Sequence, residues 1–421
     1  MRRCLFSGLF IVVAACSAAN TTTAANTTTA GSAAGSGNAS GSTGQSGGGL
    51  TNTGTSGTAA TGNTGRGTSG TSTGTANTGA ATAGAGTTGA GTTGGGCGPC
   101  PANYACGTAN GLQVCRASNG IPLFSHVFVI VMENTSLASL ATADGGYPFT
   151  PYLAGLAASA ATAADYHGVA HPSLPNYIAM TSGADVTGID CDCQPVGSAC
   201  TALTCSTAAN LLTVTCGCPQ VTPSIADDLE DGGLGWKNYA ESMGSPCNTT
   251  LSSPYAPKHV PFLYYPQIQG NAARCNAHVV DLATLASDLA GTASPAFSFI
   301  SPNLTSDMHD PTFPNGGTQN YVDGDTWLAQ HVPPILASAA YRQGGLLVIV
   351  WDEDDNSGGV FGSDDPVPLF LLSPYATQGG FQGLAHADHY NLLATFEDGL
   401  NLPRQGQAAG VNPLTEYFPN Q

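Results

Sequence analysis

His126-Val-Phe-Val-Ile-Val-Met132 is the stretch that decides the architecture. Behind its histidine, apolar residues follow one another without a polar break. A strand with one wet face alternates apolar and polar side chains, whereas a continuous run suits a strand buried on both faces of a parallel sheet. Similar runs recur at 296–301, 346–351 and 368–372. Around them, helical patterns are read at 151–164, 175–182, 225–231, 280–289, 323–340 and 389–400. Strands alternating with helices predict an α/β fold, a three-layer sandwich around a mostly parallel sheet. A cysteine-rich insertion near 186–222 interrupts the alternation and reads as a disulfide-held excursion or cap.

In such sheets functional groups gather where the strands end at their carboxyl edge. The first run passes into Glu133-Asn134, the second into Ser301-Pro302-Asn303, the third into Asp352-Glu353. Asp and Asn also form turns at strand ends. Carboxylates placed beside buried strands nevertheless need a cation, and the chain is poor in them. It has 27 acidic residues against 9 Lys and Arg, for a net charge of −18. All the acids lie beyond residue 96, where the basic residues are Arg116, Lys237, Lys258, Arg274, Arg342 and Arg404. A field of that sign repels nucleic acid and anionic lipid surfaces, so neither is an expected partner. A phosphate ester can still bind where a metal inverts the local sign. The acidic run Asp352-Glu353-Asp354-Asp355-Asn356 is not a calcium loop of the EF-hand type, because Ser357 and Ser363 stand where Gly and Glu are required.

The N-terminal part sets the expected compartment. Arg2 and Arg3 precede an apolar run from Leu5 to Val13, and Val13-Ala14-Ala15-Cys16 resembles a bacterial lipobox. Residues 1–16 are therefore read as a signal peptide ending in an acylated cysteine, the chain's one membrane contact, with ordinary cleavage nearby as the alternative; the protein is expected in the cell envelope, lipid-anchored or exported. Residues 17–96 hold one charged residue, Arg66, and no aromatic. Such a stretch cannot bury enough apolar surface to offset the entropy of ordering it, and reads as a disordered tether with a reach of about 50 Å. Residues 97–120 are read as a small Cys-rich segment, and 121–421 as the main domain, which would hold any catalytic site. Of 14 cysteines, Cys4 and Cys16 belong to the leader. The even remainder argues for disulfides in an exported protein, and Cys97-x-x-Cys100 lacks the nearby paired histidines of a zinc site.

Within the domain, His167-Gly-Val-Ala-His171-Pro172-Ser173-Leu174-Pro175-Asn176-Tyr177 sets Ser173 at the start of a helix, as an N-cap or among amides that welcome an anion. Asp307-Met308-His309 places two possible ligands in a polar loop, and His386-Ala387-Asp388-His389 precedes another helix. Taken singly, each has a plain structural reading.

Taken in order, they resemble a known family. The stretches 126–136 (H-V-F-V-I-V-M-E-N-T-S), 171–183 (H-P-S-L-P-N-Y-I-A-M-T-S-G), 255–262, 297–310, 346–353, 367–374 and 389–402 are similar to the bacterial phosphoesterase family of phospholipases C and acid phosphatases, within the alkaline-phosphatase-like superfamily. The resemblance covers 122–402 apart from the insertion. It implies a divalent metal of open identity and number, with Ser173 as nucleophile. Glu133, Asp352 and Glu353 would be metal ligands, and Asn134 a ligand or phosphate contact. Asp307, His309 and His389 would line a second metal site or handle phosphate and leaving group, His309 as proton donor. Lys258, His259, His171 and His167 would be phosphate-side contacts. The H-P-S-L-P-N-Y form is similar to the acid-phosphatase branch. The phospholipase branch has threonine as nucleophile and E-N-R-S-F-D where this chain continues Thr135-Ser136-Leu137-Ala138. The expectation is a phosphomonoesterase working through a phosphoserine. Phospholipase C is the alternative within the class, and a non-catalytic surface binding or adhesion protein the alternative outside it.

Overall fold

The computed structural model describes residues 97–421 except 143, 188, 190–191, 197, 200–215, 292–293, 310–317, 356–364 and 420–421. The leader, the tether, Cys191, Cys200 and Cys205 lie outside the described residues.

The chain first forms a hairpin of β1 (Tyr104–Ala109) and β2 (Leu112–Ala117). Then follow β3 (Val127–Met132), β4 (Ala161–Ala163), β5 (Tyr166–His167), β6 (Ser198–Ala199), β7 (Cys216–Gly217), β8 (Trp236–Ala240) and β9 (Val279–Asp281). The last five are β10 (Phe297–Ser301), β11 (Leu346–Trp351), β12 (Leu369–Leu372), β13 (Gln382–Gly383) and β14 (Ala387–Asp388). Eight of them make the main sheet, in the order β13-β4-β12-β11-β3-β10-β8-β9. The continuous apolar run is β3, buried along its whole length, with β10 and β11 parallel on either side. β12 runs antiparallel to both β11 and β4, so the sheet is mostly and not wholly parallel. Helices flank it, completing the α/β sandwich. Among the described residues no helix is long and apolar enough to cross a membrane.

The 151–164 pattern splits: the helix ends at Ala157, and the small residues after it enter the sheet as β4. Likewise 280–289 divides into β9 and a helix over Leu285–Ala290. The helix read at 323–340 runs Gln319–Ala337 and carries Pro333 and Pro334. The one read at 175–182 begins two residues earlier, at Ser173, because Pro175 falls in its first turn, where its missing N–H is not needed. That helix stops at Gly183, whose φ of 62° suits glycine. A Cβ there would also meet the Gln405 carbonyl at 2.6 Å.

Disulfides Cys97–Cys106 and Cys100–Cys115 staple the hairpin, so none of these cysteines is a metal ligand. Arg116 of the same hairpin donates to the Thr108 carbonyl at 2.6 Å and to that of Phe418, which ties the segment to the C-terminal end of the chain. Cys193–Cys218 bridges the described flanks of the insertion, and Cys247–Cys275 ties the loop after β8 to the helix Ala272–His278 before β9.

One buried acid sits apart from the sheet edge. Glu397, on the helix His389–Gly399, is 0% exposed; one carboxyl oxygen accepts from the Gln405 amide, and Oε2 has no hydrogen-bond partner among the described residues. Burial pushes its pKa from 4.5 up to about 9. The folded chain thus keeps a proton that the unfolded chain releases across this window. Stability from this group is complete below pH 4.5 and is lost as pH rises towards 9, at up to about 1.4 kcal/mol per unit. Glu397→Gln should flatten that decline. Thermal unfolding of both proteins from pH 5 to 9 checks it, and parallel curves would refute it.

Candidate active site

The register of β3 against β11 builds the site. Met132 pairs with Trp351, so Glu133-Asn134 and Asp352-Glu353 leave the sheet side by side. Main-chain bonds lock the two ends: Asp352 N donates to Met132 O at 3.0 Å and Thr135 N to Glu353 O at 3.1 Å. Glu133 N donates to Asp307 O at 2.8 Å, which draws in the loop after β10. Asn134 makes the turn with φ 32°, sparsely populated for a side-chain-bearing residue. Its amide N–H donates to Asp352 Oδ1 at 2.9 Å and its side chain to Glu353 Oε1 at 2.8 Å. Gly168 packs under this corner, where a Cβ would lie 2.8 Å from the Asp352 carbonyl oxygen.

Ser173, the first residue of its helix, points its hydroxyl into the corner. Oγ lies 2.8 Å from Glu133 Oε2, 3.2 Å from Glu353 Oε1 and 3.4 Å from Asn134 Oδ1, and accepts from Lys258 Nζ at 3.1 Å. A hydroxyl has one proton for three acceptors, so the oxygen-rich ring offers more lone pairs than Ser173 can satisfy. Tyr177, one turn along the same helix, donates to Glu133 Oε1 at 2.6 Å. Lys258 also donates to Asp192 Oδ2 at 2.9 Å, and Asp192 Oδ1 accepts from the Leu174 amide at 3.0 Å.

The charges are strongly coupled. Glu133, Asp352 and Glu353 are at most 2% exposed. Burial pushes Glu133 up, but His259 and Lys258 outweigh it and hold the carboxyl well below its usual range. Burial, then the charges of Glu133 and Glu353, push Asp352 well above its usual range. Burial also raises Glu353, against the pull of His171, and contact with Glu353 raises His171 in turn. Burial works against the Lys258 charge, yet Asp192 and Glu133 raise it further still.

The remaining expected site residues fall in different places. His171 Nδ1 contacts Glu353 Oε2, and Lys258 stands beside the hydroxyl. His309, about a third exposed, has Nδ1 3.8 Å from Glu133 Oε2, on the solvent side. His259 is 2% exposed and stacks on Tyr177, with Nε2 3.1 Å from Glu133 and Nδ1 4.0 Å from Asp307. It therefore sits between two carboxylates inside the protein. The Asp307 carboxylate accepts from the His309 amide at 3.0 Å and braces that loop. His389, expected at a metal position, is buried with both ring nitrogens on protein partners. Burial lowers its pKa to about 4, so its ring is neutral; Nε2 donates to the Asp352 carbonyl at 2.6 Å and Nδ1 takes the Tyr166 hydroxyl at 2.8 Å. Nε2 thus braces the residue that follows β11, and Nδ1 ties the ring to β5. His167, expected as a phosphate-side contact, has its ring turned to Asp165 at 2.7 Å. Tyr177 and Asp192 were missed. Tyr177 lies four residues after Ser173, a same-face spacing legible in the sequence, whereas nothing in the sequence links Asp192 to Lys258.

Oxygen donors converging on a buried hydroxyl fit a divalent cation. Asp352 Oδ2, buried and without a hydrogen-bond partner among the described residues, is one atom left over for such a cation.

A hydroxyl ringed by acids and an ammonium at the carboxyl edge of a parallel sheet defines a hydrolytic site for anionic esters. The Phosphoesterase family profile matches residues 146–403, and the chain belongs to that family. It is similar to the phosphatidylinositol-3-phosphatase of Mycobacterium tuberculosis, 27% identical over 73% of this chain and 87% of that protein. It also resembles a probable acid phosphatase of Kluyveromyces lactis (25%, covering 70% and 63%) and an acid phosphatase of Aspergillus fumigatus (24%, covering 69% and 58%). The chain thus spans less than two thirds of those two fungal relatives, which also show that such sequences are not confined to bacteria. A solved structure of an alkaline phosphatase superfamily protein from Vibrio parahaemolyticus superposes with a TM-score of 0.44 at 13% identity, over 71% of this chain and 70% of that chain. The protein is a hydrolase acting on phosphate esters.

Proposed function

We propose that the protein is an exported, lipid-anchored phosphomonoesterase that is metal-dependent and works through Ser173 and a phosphoserine intermediate. The observation that carries this reading is the Ser173 hydroxyl, ringed by Glu133, Asn134 and Glu353 and touched by Lys258. Glu133, Asp352, Glu353 and Asn134 would hold the cation, which when bound supplies positive charge to activate the serine and to neutralise phosphoryl oxygens.

The chain's own residues do the rest. Glu133 Oε2, 2.8 Å from Oγ, orients the hydroxyl for in-line attack. Lys258 Nζ and the Leu174 amide face the same anion seat, and both donate to phosphate oxygens once Asp192 gives way. His309, on the open side, protonates the departing alkoxide and in the second half-reaction takes a proton from the water that cleaves the phosphoserine.

Relatives named as a phosphatidylinositol-3-phosphatase and acid phosphatases favour monoesters over diesters. The test is hydrolysis of a chromogenic phosphate monoester and of a phosphocholine diester by the purified protein with divalent metal. Monoester turnover at least tenfold faster is expected; faster diester turnover would move the protein to the phospholipase C branch.

A further inference from the structure

His167, drawn away from the Ser173 corner, belongs to a second cluster. β5 and β14 pair in parallel, with Tyr166 opposite Ala387 and His167 opposite Asp388. The Ala387 amide donates to the Asp165 carbonyl at 3.0 Å. Asp165 immediately precedes β5, two residues from His167, and His386 immediately precedes β14, so the register of the pair brings His386 across from Asp165. His167 Nε2 is 2.7 Å from Asp165 Oδ1, and His386 Nδ1 is 3.2 Å from Asp165 Oδ2. Among the described residues this is the one trio of metal-capable side chains with one ligating atom from each within 4.8 Å of the others.

We propose that Asp165, His167 and His386 form a zinc site separate from the Ser173 centre. Donors held about 2.1 Å from a tetrahedral zinc lie about 3.4 Å apart, so the observed spacings need only small side-chain adjustments. Two imidazole nitrogens and one carboxylate suit zinc, whereas magnesium and calcium favour all-oxygen sets. Asp165 already gives one oxygen to each ring, so each histidine presents toward it the nitrogen that would bind. The side chains are 41%, 12% and 70% exposed for Asp165, His167 and His386, so the site has an entry path and an open fourth position for water. Zinc here would clamp a two-residue strand pair. From that pair Gly168 runs beneath Asp352, and Asp388 caps the helix whose first residue, His389, bonds the Asp352 carbonyl.

The test is zinc binding by the full chain, read as metal content after equilibrium dialysis and as the zinc-induced rise in unfolding temperature. Wild type is compared with His386→Ala, Asp165→Asn and, at the other centre, Glu353→Gln. Wild type should hold one zinc per chain more than His386→Ala or Asp165→Asn and show a larger thermal shift. Glu353→Gln should keep this zinc. Equal zinc content in wild type and His386→Ala would overturn the proposal, as would loss of the same zinc in Glu353→Gln but not in His386→Ala. The exposed position of His386 makes its replacement safe for folding, and unfolding without metal provides the control.

Discussion

Ser173→Ala should cut turnover of a phosphate monoester by about 10⁴-fold or more, the scale at which loss of a covalent nucleophile registers. The hydroxyl is the one atom common to the bonds from Glu133, Glu353, Asn134 and Lys258. Its removal leaves the charges paired, because Lys258 keeps Asp192 at 2.9 Å and Glu133 at 3.8 Å. The variant should therefore unfold within about 4 °C of wild type. Steady-state kinetics and a melting curve measure both. Retention of more than a tenth of the activity in the folded variant would rule out Ser173 as nucleophile.

Chelation should have the second large effect. Glu133, Asp352 and Glu353 are buried together, and among the described residues the nearby cationic or cationisable groups are Lys258, His171, His259 and His309. A divalent cation worth about 4 kcal/mol to the transition state corresponds to about 10³ in rate. Activity should fall by that order on dialysis against a chelator and return with added metal. The unfolding temperature should fall too, since a cation at about 1,000 times its dissociation constant contributes about 4 kcal/mol to the folded state. Full activity after exhaustive chelation, with metal content shown to be nil, would remove the metal from the mechanism.

The sheet's centre was legible because β3 and β11 are apolar at every position, a pattern that needs no long-range information. β8 escaped notice because Lys237 and Asn238 break its apolar run, yet Lys237 finds Asp288 at 2.7 Å and Asn238 the Phe299 carbonyl at 3.2 Å. Small alanine-rich segments such as 151–164 fit helix and strand alike until packing chooses. At the site, Glu133, Asn134, Asp352 and Glu353 were readable as polar residues ending buried strands, and Ser173 as a serine opening a helix. The histidines were not readable at that level. Sequence places His389 at a helix start but does not say that its ring turns inward to a main-chain carbonyl. His167 looked like part of the serine motif, although its partners Asp165 and His386 are fixed by a strand pairing 221 residues apart in sequence. Asp192 depends on how the insertion folds back, which local pattern does not encode.

That carboxylate changes what binding means here. Asp192 occupies the Leu174 amide and the Lys258 ammonium, the two donors at the mouth of the serine helix. On the proposed mechanism, a phosphate seating itself there would evict a resident anion, so docking would be an exchange of guests and not the filling of a void. Affinity would then measure the incoming group against the outgoing one. A phosphate dianion would displace the carboxylate more readily than a diester monoanion, and the seat would rank ligands by charge before any of them met the nucleophile. Asp192 is followed directly in the chain by Cys193, whose bridge to Cys218 holds the described flanks of the insertion, so the exchange would take place beside a covalently fixed point.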